Sequence, residues 1–519
     1  MATSRKKKGR VFEVHKPNGQ IHDRVRQAGP EYFGVVAFDC AKARSKFFLA
    51  NFYGEVLIPP TTCPHTRGDF QAALDRIRAV VRERALADLI VAIEQTGTYH
   101  RPVQEACRHA RFDTRLVHPY ASQHYRQAAD PDNKTDDRDL AAIFQAAISG
   151  FGLLDPVWPD DYQQLQLLVR HRRDLVRKNA RLRCQIQEVL HSLMPGYAAC
   201  FAELFEAASG LRLARRTGSA AAVQAAGITG LCTLLQEAGV QPRMSLLRKI
   251  LAWASTAPAP PAQAAPRRQI LDHLDDDRLL KSQQISRVEQ ASASLLAGMP
   301  YVLLLAIPGI NVVSAAEFAG ELGPIEHYAN AGRITGRAGV VPSRYQSDLV
   351  DRNSGPLRRA ANRRLRYALV QIADQLIRCN HHFRIRALAW RQHDKDERWM
   401  RIKVAKSFSR LAYAMVAGRQ LFGHPCCRPR HYILDKFLAF QHEHDTPMAQ
   451  VLRDLDAATR QLPRSAHTDE AQPLRERLDD ANRTRSRGPQ LLGDILPLVL
   501  ARLGVGEVQS EVSEETDPS

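Results

Sequence analysis

Four carboxylates are spaced for shared work on phosphate. Asp39 ends an apolar, β-prone run in "VVAFDCA", and Glu94 ends another in "IVAIEQTG". Asp136 and Asp139 open a helical pattern in "NKTDDRDLAAIF", one turn apart and so on one face. In a parallel or mixed sheet, sites assemble at the carboxyl ends of strands. Two strand-end acids and one helical pair can therefore converge on a point. Four such groups repel unless cations lie between them, and oxygen-only donors suit Mg²⁺, with Mn²⁺ as the alternative. Paired ions of this kind are the usual arrangement for phosphodiester chemistry. Each acid alone also fits a plain structural role. Asp136 and Asp137 sit well at a helix N-terminus, and Asp39 suits a strand-end turn.

The elements that must position these acids can be read from hydrophobic spacing. "YFGVVAFDCAK" and "SKFFLANFYGEVL" are strand patterns, with Gly54 at a turn. "DFQAALDRIRAVVRERA" has helical spacing, "DLIVAIEQTG" is a buried-strand pattern, and "RPVQEACRHA" is a helix. "DTRLVHP" then predicts a strand and "DDRDLAAIFQAAI" a helix. Strands alternating with helices predict an α/β domain with a partly parallel sheet over residues 33–150.

Residues 151–298 read as helical. Leu168, Leu175, Leu182 and Val189 recur every seven residues, and Arg172, Asn179, Ile186 and Leu193 fill the second seam. That heptad predicts a coiled coil between subunits, with a helical hairpin inside one chain as the alternative. A Pro/Ala-rich linker, 256–269, precedes a second amphipathic helix at about 276–297. Residues 299–425 form a further, mainly helical unit. Residues 426–519 read as an extension ending in acid: Glu507, Glu511, Glu514, Glu515 and Asp517.

The 519-residue chain carries a formal net charge of +18, from 73 Lys and Arg against 55 Asp and Glu. That surplus favours a polyanionic partner, most often nucleic acid, although an arginine-rich composition alone would also produce it. Residues 1–32 read as a basic, disordered arm. The sequence contains no long apolar run and no signal peptide, so a cytoplasmic protein with no membrane partner is expected. Nine cysteines without paired spacing fit reduced thiols. His424, Cys426, Cys427 and His431 are zinc-type ligands, but their spacing is poor for zinc. From Arg352 to Arg366 there are six arginines (Arg352, Arg358, Arg359, Arg363, Arg364 and Arg366) and no acid. Such forks grip phosphates.

The three blocks around Asp39, Glu94 and Asp136 resemble the catalytic blocks of DEDD transposases of the insertion-sequence-110 family. The resemblance covers about residues 33–195 and 299–420. It implies a ribonuclease-H (RuvC-like) N-terminal fold with metal on Asp39, Glu94, Asp136 and Asp139. Lys134, in "KTD", would neighbour a phosphate. "LLLAIPGINVVSAAEFAGELG" resembles the helix-hairpin-helix-like start of the family's C-terminal domain, with Asn311 where a second glycine is common. In that domain a serine after a "P-S-x-Y" element attacks DNA; Ser347 matches, and Ser354 is the alternative. The common "SG" is absent here, since Asp348 follows Ser347. The family further implies donor and target DNA, a guide (bridge) RNA, and a homodimer or homotetramer with a composite site, acting at the nucleoid. Two other readings remain. One is a metal-dependent nuclease or junction resolvase in which Ser347 is incidental. The other is a non-catalytic nucleic-acid-binding protein.

Overall fold

A computed structural model describes residues 21–129, 132–133, 135–150, 158–258, 263–342, 345–347, 350–352, 355–358, 361–421 and 424–463. Residues 1–20 of the basic arm, Lys134, Ser354, Arg359 and the acidic end lie outside these. The chain divides into two compact units, Met1–Val157 and Trp158–Ser519.

The first unit runs α1 (His22–Ala28), β1 (Phe33–Cys40), β2 (Arg44–Asn51), β3 (Val56–Pro64), α2 (Arg67–Glu83), β4 (Asp88–Glu94), α3 (His100–His109), β5 (Asp113–Val117), α4 (Pro119–Ala129) and α5 (Asp136–Ile148). The sheet order is β3-β2-β1-β4-β5. β1, β2 and β3 pair antiparallel, while β4 lies parallel to both β1 and β5. This is a mixed, ribonuclease-H-like sheet. Strand alternation sends Val36, Phe38, Val91 and Ile93 into one core with Leu74, Ile77 and Val103. Val35, Ala37, Ile90 and Ala92 enter the other, against Leu140, Ile143 and Phe144 of α5.

The expected disordered arm ends earlier than residue 32. α1 is docked because Ile21 and Val25 bury themselves in the α5-side core. Arg24 adds a fork to Asp88, at 2.6 Å, and to Asp113.

The second unit runs α6 (Asp160–Leu193), α7 (Gly210–Thr217), α8 (Ala220–Glu237), α9 (Met244–Thr256), α10 (Ala264–Ala297), α11 (Val312–Leu322), α12 (Ala331–Arg337), β6 (Tyr345–Ser347), β7 (Val350–Arg352), α13 (Arg363–Cys379), α14 (His381–Gln392), α15 (Glu397–Gly418), α16 (Arg430–Glu443) and α17 (Met448–Gln461). α10 starts inside the Pro/Ala-rich stretch. No single helix among the described residues is long and apolar enough to cross a membrane.

The heptad seam of α6 packs within the chain. Leu175, Asn179, Ile186 and Leu193 are buried. α10 supplies the partners. Asn179 Nδ2 donates to Ser282 Oγ at 3.1 Å, and Arg172 Nε reaches Glu289 Oε1 at 2.6 Å. The descending register, 172 with 289 and 179 with 282, makes the pair antiparallel. α7 to α9 close one end of this hairpin around Tyr197, Leu231 and Leu247.

At the other end, the apolar stretch Pro300–Ala306 forms a fully buried 3₁₀ segment in the largest core. Phe437 and Leu455 share that core, so α16 and α17 belong to the unit and are not an appendage. The Pro308–Gly309 turn serves this packing. Gly309 has φ +96°, and a Cβ there would meet the Gln375 carbonyl at 3.0 Å. Lys436, whose ammonium burial pushes down to about 8, donates to the carbonyls of Ile307 and Ile310. Asn311 stands where glycine was expected because it is the N-cap of α11, in a capping box with Ser314.

One buried pair here gives a pH test. Glu289 accepts from Arg172 and, at 2.8 Å, from His444 Nε2. Burial opposes His444 protonation, but the Glu289 hydrogen bond, the Phe440 carbonyl and nearby acid outweigh it and raise the imidazole above its ordinary value. Burial likewise opposes Glu289 ionisation, yet His444 and Arg172 hold it below the ordinary glutamate value. The Glu289 contribution is complete above the unfolded 4.5, and the His444 contribution is complete below the unfolded 6.5. Stability from the pair should therefore peak between those values and fall as pH rises through the raised His444 pKa. Thermal unfolding across that range should show the decline in the native protein and a flatter profile in His444→Gln. Equal slopes would remove the pair as its source.

Candidate active site

Strand register sets the first half of the site. Val35, Ala37 and Asp39 alternate onto the α5 face of β1, as Ile90, Ala92 and Glu94 do on β4. Phe38 registers with Ile93 in the parallel ladder, so Asp39 and Glu94 are the next pair along. Neighbouring strands lie about 4.8 Å apart, which sets these two acids side by side at the strand ends. The adjacent Cys40 thiol is pushed up to about 12 by burial, despite a Ser45 hydrogen bond, with Asp39 and Glu94 adding to the rise. It stays protonated and makes a poor metal ligand.

α5 brings the other pair. Thr135 caps it, its hydroxyl accepting from the Arg138 N–H. The stripe Asp136, Asp139, Leu140 and Ile143 faces the sheet from its edge inward, so that Asp136 is exposed and Asp139 only 9% exposed. Lys46, which registers opposite Asp39, holds Asp137 at 2.5 Å and pins this first turn to the end of the β1–β2 ladder.

Side chains of the same unit already engage these acids. Arg126 pairs with Asp139, and the Ser122 hydroxyl donates to Glu94. Thr96 adds a second donor to Glu94 at 3.3 Å. His118 stands nearby; burial lowers its pKa more than the Glu94 charge raises it, so it favours the neutral form. Among the described residues, no three acidic, imidazole or thiol side chains converge closely enough to grip one ion. The donor chemistry nevertheless fits a hard divalent cation: four carboxylates, two of them in adjacent register.

The second half lies in the other unit. Ser347 ends β6, is exposed, and registers with Val350 of β7. A backbone bridge between Pro342 and Leu357 pinches the neck of this segment. Arg366 braces it from α13, its guanidinium donating to the carbonyls of Ala338 and Arg358. Gly339, at φ +62°, leaves the room that this guanidinium needs. Arg366 therefore shapes the loop, whereas Arg358, Arg363 and Arg364 are exposed. Arg352 closes β7. Asn362 caps α13, accepting from Arg364 N and Leu365 N, and Glu321 holds that cap while taking Arg170 at 2.9 and 3.0 Å.

The first turn of α13 holds Arg363 and Arg364 and no acid. Cations at the positive end of a helix dipole oppose it, by roughly 0.3–1 kcal/mol each, unless an anion binds there. Arg363→Gln with Arg364→Gln should therefore raise the unfolding midpoint slightly while weakening DNA binding. The salt dependence of binding should flatten by about 0.9 for each phosphate the protein no longer neutralises. Equal binding and an unchanged salt slope would remove these arginines from the DNA surface.

A DEDD transposase model of the IS110 type covers residues 36–195, and a model described as "Transposase IS116/IS110/IS902 family" covers residues 301–387. A "Probable family 20 transposase" of Pseudomonas aeruginosa is 26% identical over 305 residues, 58% of this chain and 76% of that one. An "Insertion element IS116 uncharacterized 44.8 kDa protein" of Streptomyces clavuligerus is 25% identical over 249 residues, 47% of this chain and 61% of the other. The chain belongs to the IS110 family of transposases. As such it is an enzyme that acts on DNA, and its DEDD domain suggests use of a divalent metal.

In this transposase the four acids share one face of one unit, and Ser347 with the arginines belongs to the other unit. Sequence reasoning missed Ser122 and Arg126. They sit one turn apart on α4, a largely polar helix with no clean apolar stripe; Pro119 at its start was the available signal. The zinc-type cluster does not assemble among the described residues. His424 Nδ1 lies 2.7 Å from Cys426 Sγ, in an ordinary local contact.

Proposed function

We propose that the transposase cuts and rejoins DNA through a covalent link between Ser347 and a DNA phosphate, aided by Mg²⁺ or Mn²⁺ at Asp39, Glu94, Asp136 and Asp139. The observation that carries the metal half is the side-by-side register of Asp39 and Glu94 beneath the acidic first turn of α5. A divalent ion there would offset phosphate charge and favour loss of the serine proton. Arg126 must release Asp139 for all four acids to serve. It then becomes a spare cation beside the scissile phosphate.

Support for the serine half is its exposure on a braced hairpin inside the matched transposase region. Ser347 Oγ would bond to phosphorus as the P–O bond to one deoxyribose oxygen breaks, and that hydroxyl leaves with a proton. A hydroxyl from a second strand then attacks the phosphoserine and restores the diester. Bond energy is kept in the link, so no nucleotide triphosphate is required. The family resemblance supports a site shared between two copies. The same resemblance supports a guide RNA and Lys134 as a phosphate neighbour, and the acid-free run of arginines supports Arg352, Arg358, Arg359, Arg363 and Arg364 as nucleic-acid contacts.

The test is a trapping reaction. Protein with element-end RNA is given Mg²⁺ and labelled donor DNA, nicked so that the released strand diffuses away. A protein-linked DNA band on a denaturing gel is expected, and it should disappear with chelator. Cleaved DNA without any adduct would identify a hydrolytic nuclease instead.

A further inference from the structure

α14 and α15 carry a second cationic surface. Arg386 and Trp390 are one turn apart on α14. Trp399, Lys403, Lys406 and Arg410 recur at helical spacing on α15. With the small residues at the start of α12 they line a cleft of about 570 Å³, within the usual range for ligand sites of roughly 300–1,000 Å³. The two indoles rest half-buried on the core, edge to face, with ring centroids 5.4 Å apart. The Arg386 guanidinium lies 5.3 Å from the Trp390 ring, and Lys403 Nζ lies 4.8 Å from the Trp399 ring.

The charge balance separates this cleft from an ordinary solvated face. Among the described residues, no acid lines it. Arg391 and Arg401, on the same helices but outside the cleft, are paired with Glu397 and Asp374. Among the described residues, none of the four cations in the cleft has a carboxylate partner. Burial, then the charges of Lys403 and Arg410, pull the Lys406 ammonium below its ordinary value.

Unpaired cations ask for phosphate, and half-exposed indoles ask for a flat apolar ring. A duplex offers the first but hides the second. A single strand offers both, since every unstacked base has a π-face. We propose that this cleft binds an unpaired nucleotide of a single-stranded nucleic acid, its base against Trp390 and Trp399 and its phosphates at Lys403, Lys406 and Arg410. Those five residues lie beyond residue 387, where the family match ends. Val341, also in the lining, is six residues ahead of Ser347, so the cleft adjoins the proposed nucleophile's segment in sequence. The inference does not depend on Ser347 or the carboxylates being catalytic.

The test uses the full chain and fluorescent oligothymidylate, oligouridylate of equal length, and a blunt DNA duplex, followed by anisotropy. Trp390→Leu keeps an apolar filler but removes the stacking face. It should weaken single-strand binding about tenfold and leave duplex binding within twofold. Lys403→Gln with Arg410→Gln touches only exposed side chains and guards against misfolding. It should weaken the same binding and reduce the salt slope by about 0.7 for each phosphate the cleft no longer neutralises. Loss confined to thymidylate assigns the strand to opened DNA, and loss confined to uridylate assigns it to RNA. Loss on both supports either origin. Unchanged single-strand affinity in both variants, or an equal loss on duplex, would overturn the proposal.

Discussion

Ser347→Ala should abolish the protein–DNA adduct and strand exchange, by at least about a thousandfold, while DNA binding stays within about twofold. The reasoning is geometric. Ser347 is exposed at the end of β6, and among the described residues its side chain makes no hydrogen bond. Removing one oxygen should therefore not disturb the hairpin, which is held by the Pro342–Leu357 bridge and by Arg366. A nucleophile deletion removes the covalent route itself, and a thousandfold corresponds to about 4 kcal/mol of barrier. Ser354→Ala run beside it decides between the two serines. Full activity in Ser347→Ala, or loss only in Ser354→Ala, would move the nucleophile or dismiss the serine route.

Asp39→Asn and Glu94→Gln should each cost a comparable factor, with DNA binding retained. Both changes keep shape and replace one oxygen donor by an amide, halving the anionic pair at the strand ends. Glu94→Gln keeps a carbonyl acceptor for Ser122, and the Thr96 hydroxyl beside the other oxygen can accept from the new amide N–H instead, so the fold should hold. The separating control is Arg126→Gln. It frees Asp139 from its ion pair, so it should tighten divalent-cation binding even if turnover falls. Calorimetric titration with Mn²⁺ measures that directly. Equal Mn²⁺ affinity in the native protein, Asp39→Asn and Arg126→Gln would show that the ion, if used, binds elsewhere.

How much of this was legible in the sequence depended on periodicity. Apolar residues lie on both faces of β1 and β4, so alternation did not choose the side of Asp39 and Glu94, but their place at the strand ends marks them as candidates. The helical stripe of α5 places Asp136 and Asp139 on one face. α4 left little trace, since its role is polar: Ser122 and Arg126 reach the acids across space, and spacing along the chain does not encode that. The heptad of α6 was visible, but its partner was not. A seam of Leu175, Asn179 and Ile186 fits a second copy or α10 equally well, until Ser282 and Glu289 are seen facing it. Arg366 looked like its neighbouring arginines, which were expected to contact phosphate, and only the loop it braces distinguishes it.

Two 34-residue helices locked side by side act mechanically as a strut. At about 1.5 Å per residue, each spans roughly 51 Å, comparable to one and a half turns of B-form DNA at about 34 Å per turn. The α7–α9 cluster is thereby held at a set distance from the core around Tyr301 and Phe318. Adding one heptad to each arm would carry that cluster about 10 Å further out, turned by about 20°, with the seam intact. Adding residues to one arm alone would pull Asn179 off Ser282 and Arg172 off Glu289. The hairpin is in this sense a ruler, its length written in matched numbers of residues.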